Sequence, residues 1–315
     1  MPEVLLHLQD LQVGYPNDGK EIMLFENLDL VLKAGELVCF MGPNGVGKST
    51  LIRTIAGLHK SLTPIPSPKG EGMIDPRKIS VVLTDRINAM NMSVRDLVSY
   101  GRYPYLNWSA KLSVTDLSIV DAALRTLQLT ELANKNINEL SDGQLQMVMI
   151  ARALTQDTPV ILLDEPTAHL DLNNRVAIMN VLRKLSRETQ KAILVSTHEL
   201  DLALQTADLL WLADGKKILT GVPEDLVLDG SLDRIFQFKG FDLKTGKVFH
   251  EAHRGVKVKL IGEGYSFLWT KNALERCGYE VTNQGGIEIE VQEGKGWKMG
   301  NTKIETLARL LENLP

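Results

Sequence analysis

The sequence predicts an α/β protein built on a parallel sheet around a phosphate-binding loop, with a smaller unit after it, and a few stretches carry that prediction. The first is Met41-Gly42-Pro43-Asn44-Gly45-Val46-Gly47-Lys48-Ser49-Thr50, set between the apolar run Leu37 to Phe40 and the helix-like Leu51 to Ala56. It fits G-x-x-x-x-G-K-[ST], in which glycines let the backbone close around an anion and the helix that follows points its free N–H groups at it. The second is Val160-Ile161-Leu162-Leu163, long enough for a buried parallel strand and ending in the carboxylates Asp164 and Glu165. The third is the alternation of such strands with helical stretches, including 173–188 and 200–207, which demands right-handed crossovers.

Composition narrows the class. A chain of 315 residues exceeds one ordinary core and suggests a large domain plus a small one. The net charge of -4, with no dense block of Lys and Arg, argues against a nucleic-acid binder. Cys39 and Cys277 make no disulfide framework and read as core filler in a reducing compartment. Met1-Pro2-Glu3 opens no basic-then-apolar segment, and no uninterrupted apolar run reaches about 18 residues. The expectation is a cytoplasmic protein without a span of its own.

In chain order, Leu5 to Val13 alternates as a strand and ends at the turn formers Gly14 to Gly19; Leu28 to Leu32 is a second alternating run. Tyr15 is thereby expected on a turn, either packing that turn or stacking on a base. Residues 60–75, rich in Pro, Ser and Gly, read as a surface excursion before the strand Lys78 to Leu83. Helices are expected at Ser93 to Tyr100, at Thr115 to Leu129 and from Ser141, as an insertion between two halves of the sheet. Ser141-Asp142-Gly143-Gln144 satisfies a capping box, and a serine hydroxyl with a glycine amide at a helix start also makes a second anion site.

The residue chemistry suits a nucleoside triphosphate. Lys48 would bridge its terminal phosphates, and Ser49 with Asp164 would hold magnesium. Glu165 would reach the attacking water as general base. The strand Ala192 to Ser196 ends at Thr197-His198, and His198 beside the other motifs reads as a γ-phosphate contact rather than a structural histidine.

Together these motifs resemble the ATP-binding subunit of ABC transporters over residues 3 to 240. The resemblance rests on Tyr15, GPNGVGKST, LSDGQ from Leu140 to Gln144, VILLDEP from Val160 to Pro166, Ala168-His169-Leu170-Asp171 and His198. It implies ATP and Mg2+ as cofactors and a P-loop NTPase fold with a parallel-sheet core, an antiparallel β subdomain and a helical subdomain at about 86–157. It implies a nucleotide site of Tyr15, Gly42, Pro43, Asn44, Gly45, Gly47, Lys48, Ser49 and Thr50, completed by Ser141, Gly143, Gln144 and Asp171. It also implies a head-to-tail homodimer that clamps each ATP between one copy's phosphate loop and the other's Ser141 and Gly143.

The segment Val94 to Tyr105 is similar to that of importers for iron-siderophore, haem and cobalamin, where it docks an integral membrane permease. An external substrate-binding protein and a place on the cytoplasmic side of the inner membrane follow from that likeness. Two departures stand out. The family's glutamine after the strand Lys78 to Leu83 is replaced at Thr84 or Asp85, and Asp85 is a candidate metal ligand in its stead; Asp142 stands where the signature usually has glycine.

The likeness stops at Phe241, and residues 241–315 read as a small α+β domain: a strand at Val256 to Ile261, a helix at Ser266 to Cys277, strands at Tyr279 to Thr282 and Ile287 to Val291, and a helix at Thr302 to Leu311. His250 and His253 form H-x-x-H without a clear third ligand. Competing readings are a soluble ABC ATPase of repair, translation or cofactor assembly, and an ATP-binding regulatory module whose tail is the working part.

Overall fold

The computed structural model describes residues 2–17, 20–59, 75, 77–84, 91–109, 111–238, 241–242, 247–248, 250–294 and 296–315. The chain divides into two compact units, Met1–Gln237 and Phe238–Pro315.

The first unit opens on an antiparallel hairpin of β1 (Val4–Asn17) and β2 (Lys20–Lys33). These strands run further than the alternating residues alone suggest. Gly14 and Tyr15 continue β1 instead of turning, so Tyr15 lies in the ladder opposite Ile22. From Gly14 to Asn17 the pairing with β2 runs in regular step, and the irregularities of the ladder lie earlier, between Val4 and Gly14.

The central sheet holds β3 (Leu37–Met41), β4 (Ile79–Val82), β5 (Val160–Asp164), β6 (Ala192–Ser196), β7 (Leu209–Asp214) and β8 (Lys217–Gly221). Their order is β4-β5-β6-β3-β7-β8, parallel throughout except for β8. Every residue of β3, β5 and β6 is buried, which explains why these strands read as unbroken apolar runs. Helix α1 (Lys48–Ile55) buries Leu51, Ile52 and Ile55 in one apolar cluster with Phe25 and Leu30 of the hairpin and Phe40, Leu162 and Trp211 of the sheet. Full burial of a side chain such as Phe25 contributes about 1.5–3 kcal/mol. The hairpin and the sheet therefore share a core with α1, and the loop at the start of α1 is held from two sides.

Between β4 and β5 lie α2 (Val94–Ser99), a 3-10 turn at Tyr100–Tyr105, α3 (Val114–Thr126) and α4 (Asp142–Thr155). All three helices start on a serine capping box: Ser93 with Asp96, Ser113 with Asp116 and Ser141 with Gln144. A Cβ on Gly101 would fall 2.1 Å from Thr155 Oγ1 and 2.2 Å from Arg152 O, so the 3-10 turn lies backbone to backbone on α4. The buried pair Arg102 and Asp116, 2.8 Å apart, and the bond from Arg102 to Thr155 O at 3.0 Å fasten the same turn to α3 and α4. After β5 come α5 (Leu172–Thr189), α6 (Leu200–Thr206), α7 (Pro223–Leu228) and α8 (Ser231–Phe236).

The second unit carries a small pair, β9 (Phe241–Asp242) with β10 (Lys247–Val248), and a sheet of β11 (Lys257–Ile261), β12 (Glu280–Thr282), β13 (Ile287–Gln292), β14 (Gly296–Met299) and β15 (Thr302–Ile304) in the order β12-β11-β13-β14-β15. Helix α9 (Gly264–Arg276) crosses from β11 to β12, and α10 (Leu307–Glu312) closes the chain. The tail helix expected from Thr302 is corrected here. Thr302 to Ile304 pair with β14 across a two-residue turn at Gly300, whose φ of 56° a tight hairpin requires, and the helix begins only at Leu307. Among the described residues, no helix is long and apolar enough to cross a membrane.

Candidate functional site

The carboxyl ends of β3, β5 and β6 face the start of α1, where open α/β sheets gather their ligands. The loop from Gly42 to Gly47 leaves β3 and enters α1 through Gly47, whose φ of 107° has no side-chain cap beneath it. A Cβ at Gly47 would meet Leu24 Cδ1 at 2.9 Å, so the β1–β2 hairpin packs directly on the loop. That packing carries Tyr15, half-exposed in β1, on the same hairpin. Lys48 is only 6% exposed, and its Nζ donates to Gly42 O at 3.0 Å and Pro43 O at 3.3 Å. Burial lowers its pKa from the ordinary lysine value, and the carboxylates of Glu165 and Asp164 oppose that shift. The ammonium thus lies on the loop axis with two carboxylates close enough to act on it.

Asp164 ends β5, buried, in register with Ser196 of β6. Its Oδ1 accepts from Ser49 Oγ at 3.0 Å and from Ser196 Oγ at 2.6 Å, while its backbone oxygen accepts from Thr84 Oγ1 at 3.1 Å. Ser49 and Asp164 are hard oxygen donors held against each other, a set that fits magnesium. Asp85, the other suggested metal ligand, lies outside the described residues.

Glu165 follows with φ 46°, a left-handed backbone in a non-glycine residue, held by its N–H donating to Ser196 O at 3.1 Å and Ser196 Oγ at 3.0 Å. Such strain persists only where the surroundings fix it, and it turns the carboxylate off the strand line. Oε2 of Glu165 lies 3.6 Å from His198 Nδ1, and His198 Nε2 lies 3.5 Å from Glu199 Oε1.

A second group forms at the starts of α4 and α5. The Ser141 hydroxyl accepts from Gln144 N at 3.3 Å and Gln144 Oε1 accepts from Ser141 N at 3.1 Å; both side chains are exposed. Gly143 is buried against Asn174, whose Cγ a Cβ would meet at 2.7 Å. Asp171 caps α5 and holds that asparagine, accepting from Asn174 N at 2.8 Å and Nδ2 at 2.9 Å. Ser141, Gly143, Gln144 and Asp171 therefore belong to one packed corner. Between the groups runs a cleft of about 80 Å³ lined by Thr84, Asp142, Gln146, Glu165 and His169, which places Asp142 on the same cleft as Glu165.

Sequence reading did not single out Ser196, Arg175 or Glu199. Ser196 had one signal, its place at the end of an apolar strand, but its bond to Asp164 appears only through cross-strand register. Arg175 and Glu199 lie 24 positions apart and meet only in the fold.

Residues 25–168 match the family model described as ABC transporter, and residues 255–315 match one described as Iron ABC transporter C-terminal domain. The petrobactin import ATP-binding protein FpuD of Bacillus anthracis is 34% identical over 70% of this chain and 83% of its own length. The structure of cbiO1 from Clostridium perfringens, part of the ABC transporter complex cbiONQ, is similar with a TM-score of 0.61 and 27% identity, covering 74% of this chain and 94% of that one. A dimeric post-hydrolysis structure of the ATP-binding cassette MJ0796, bound to ADP and Pi, matches with a TM-score of 0.57 and 26% identity over 69% of this chain and 98% of the other.

Proposed function

This chain belongs to the ATP-binding subunits of ABC transporters, and from that premise we propose that it powers import of an iron chelate through a membrane permease. The single observation that supports iron over cobalamin or haem is the match of residues 255–315 to an iron-transporter C-terminal domain. The family binds and hydrolyses ATP, and this chain's residues suit each part of that reaction. Lys48 and the amides from Gly42 to Gly47 hold the phosphates; Thr50 and Asn44 complete the loop, and Tyr15 stacks on the base from the hairpin. Ser49 and Asp164 would hold a magnesium ion, which would supply charge neutralisation for the nucleotide's phosphates. Glu165 takes the proton of the attacking water, and His198, 3.6 Å from it, contacts the γ-phosphate.

Ser141 and Gln144 are exposed, as a surface offered to a second copy requires, and Asp171 lies beside them. The reading is therefore a homodimer in which each copy's Ser141 and Gly143 close over the other's phosphate loop. Closing on ATP and opening after hydrolysis shift the permease between two states, since a ligand acts only through its differential affinity for them. The permease docks at the helical segment around Val94 to Tyr105, where Tyr103 is 57% exposed and the nearby Trp108 is fully exposed. A substrate-binding protein outside the membrane delivers the chelate, and the subunit works peripherally on the cytoplasmic face.

The test is magnesium-dependent ATP hydrolysis by the chain and by Glu165→Gln. Turnover is expected to fall by about 10²–10⁴-fold while ATP binding is retained. Unchanged turnover would remove Glu165 from the reaction. Co-purification with a multi-span membrane protein separates the transporter reading from a soluble ABC ATPase.

A further inference from the structure

The loop that leaves Glu165 is fastened at both ends by unusual backbone. Glu165 has φ 46° and His169 φ 64°, and Ala168 N donates to Glu165 O at 3.1 Å while Leu170 N donates to Thr167 O at 3.3 Å. At its far end the Leu170 carbonyl accepts from Arg175 Nε at 2.6 Å. The same guanidinium donates through Nη1 to Glu199 Oε1 at 2.7 Å. That carboxylate oxygen is also the one 3.5 Å from His198 Nε2. Glu199 itself is fixed by its N–H donating to Thr197 Oγ1 at 3.0 Å. A closed circuit results: Glu165, the loop to Leu170, Arg175, Glu199, His198, and back to Glu165.

We propose that Arg175 and Glu199 are positioning residues that clamp the 165–170 loop to His198, so that the loop and the γ-phosphate contact move as one piece. Arginine suits this because its planar fork donates in two fixed directions at once, here to a carbonyl and a carboxylate; a lysine ammonium has the charge without that fork. Both side chains are largely enclosed, at 33% and 19% exposure, so the pair is less screened than a surface ion pair. The clamp gives the corner holding Asp171 a direct mechanical route to the catalytic carboxylate, because Asp171 is the residue after Leu170 and caps the helix that carries Arg175. The inference rests on the ATPase reading for its kinetic consequence but not for its structural one.

The test pairs steady-state kinetics with hydrogen exchange on the full chain. Arg175→Lys and Glu199→Gln are each expected to lower kcat about tenfold, the rate equivalent of one charge-assisted hydrogen bond, with KM for ATP moved less than about twofold. In a His198→Ala background Arg175→Lys is expected to add no further loss, because the clamp acts through His198. Amides of 165–170 are expected to exchange faster in Glu199→Gln, although Glu199 bonds Arg175 rather than that loop. Multiplicative losses in the double variant, or unchanged loop exchange in Glu199→Gln, would overturn the clamp. If the wild type binds ATP without turning it over, the ATPase reading fails while the exchange measurement still decides the clamp.

Discussion

Two places in this chain share one local design and put it to different ends. In the first unit β3 passes through Gly42 to Gly47 into α1; in the second β11 passes through Gly262-Glu263-Gly264 into α9. Neither helix has a side-chain cap from its own N-cap residue, and neither has an acidic residue in its first turn. At α1 the Lys48 ammonium is held against the loop carbonyls of Gly42 and Pro43. At α9 the chain fills the place itself: Glu293, just past β13, accepts from Ser266 N at 3.2 Å, and a Cβ on Gly264 would lie 3.0 Å from that carboxylate oxygen. A helix start attracts negative charge wherever it occurs. What makes an anion site is that the protein leaves that charge to be supplied from outside.

The largest effect that would test this contrast is at α1. Lys48→Ala is expected to cut ATP turnover by about 10²–10³-fold or more, as loss of a preorganised phosphate-facing charge does; near-normal turnover would mean that the open helix start alone does the work. At α9 the effect is smaller. Glu293→Ala is expected to loosen the first-turn amides by about 0.3–1 kcal/mol, read by hydrogen exchange, and to leave ATP turnover unchanged. Added inorganic phosphate should slow that exchange in Glu293→Ala and not in the wild type. No effect of phosphate on the variant would show that glycines and a free helix start do not suffice.

A third helix start is likewise satisfied from within. Asp116 accepts from the hydroxyl and N–H of Ser113 and then from Arg102, and these bonds pull its pKa from 3.8 down to about 2. Its value is lower folded than unfolded, so its contribution is complete above about pH 4 and is lost as the pH falls toward 2. In thermal melts across that interval, Asp116→Asn should show less pH dependence than the wild type. An identical slope would assign the acid sensitivity to other carboxylates.

The phosphate loop, the Asp164-Glu165 strand and the capping box at Ser141 are legible because each is a short-range pattern: fixed spacing, an apolar run, a serine three residues before its partner; the Ser113 cap of α3 was not read. Tyr15 was misplaced on a turn because Gly14 and Pro16 look like breakers locally, whereas pairing with β2 carries the strand through them. In the tail, Thr302 to Leu311 looked helical throughout; the partner that makes Thr302 a strand residue is β14, whose own pattern is too short to announce itself. Ser196 gained its role only from standing in register with Asp164.

The sequence by itself determined the fold class, the order of strands and helices around the loop, and which residues are candidates for the proposed phosphate, proton and metal chemistry, because those depend on neighbours within a few positions. Tertiary structure alone decided that Leu24 presses on Gly47, that Asn174 lies against Gly143, that Ser196 buttresses Asp164, and that Arg175 joins Leu170 to Glu199. These contacts join segments far apart in the chain. They depend on how β3, β5 and β6 stack side by side and on which helix face meets which, and no local pattern of residues encodes that distance.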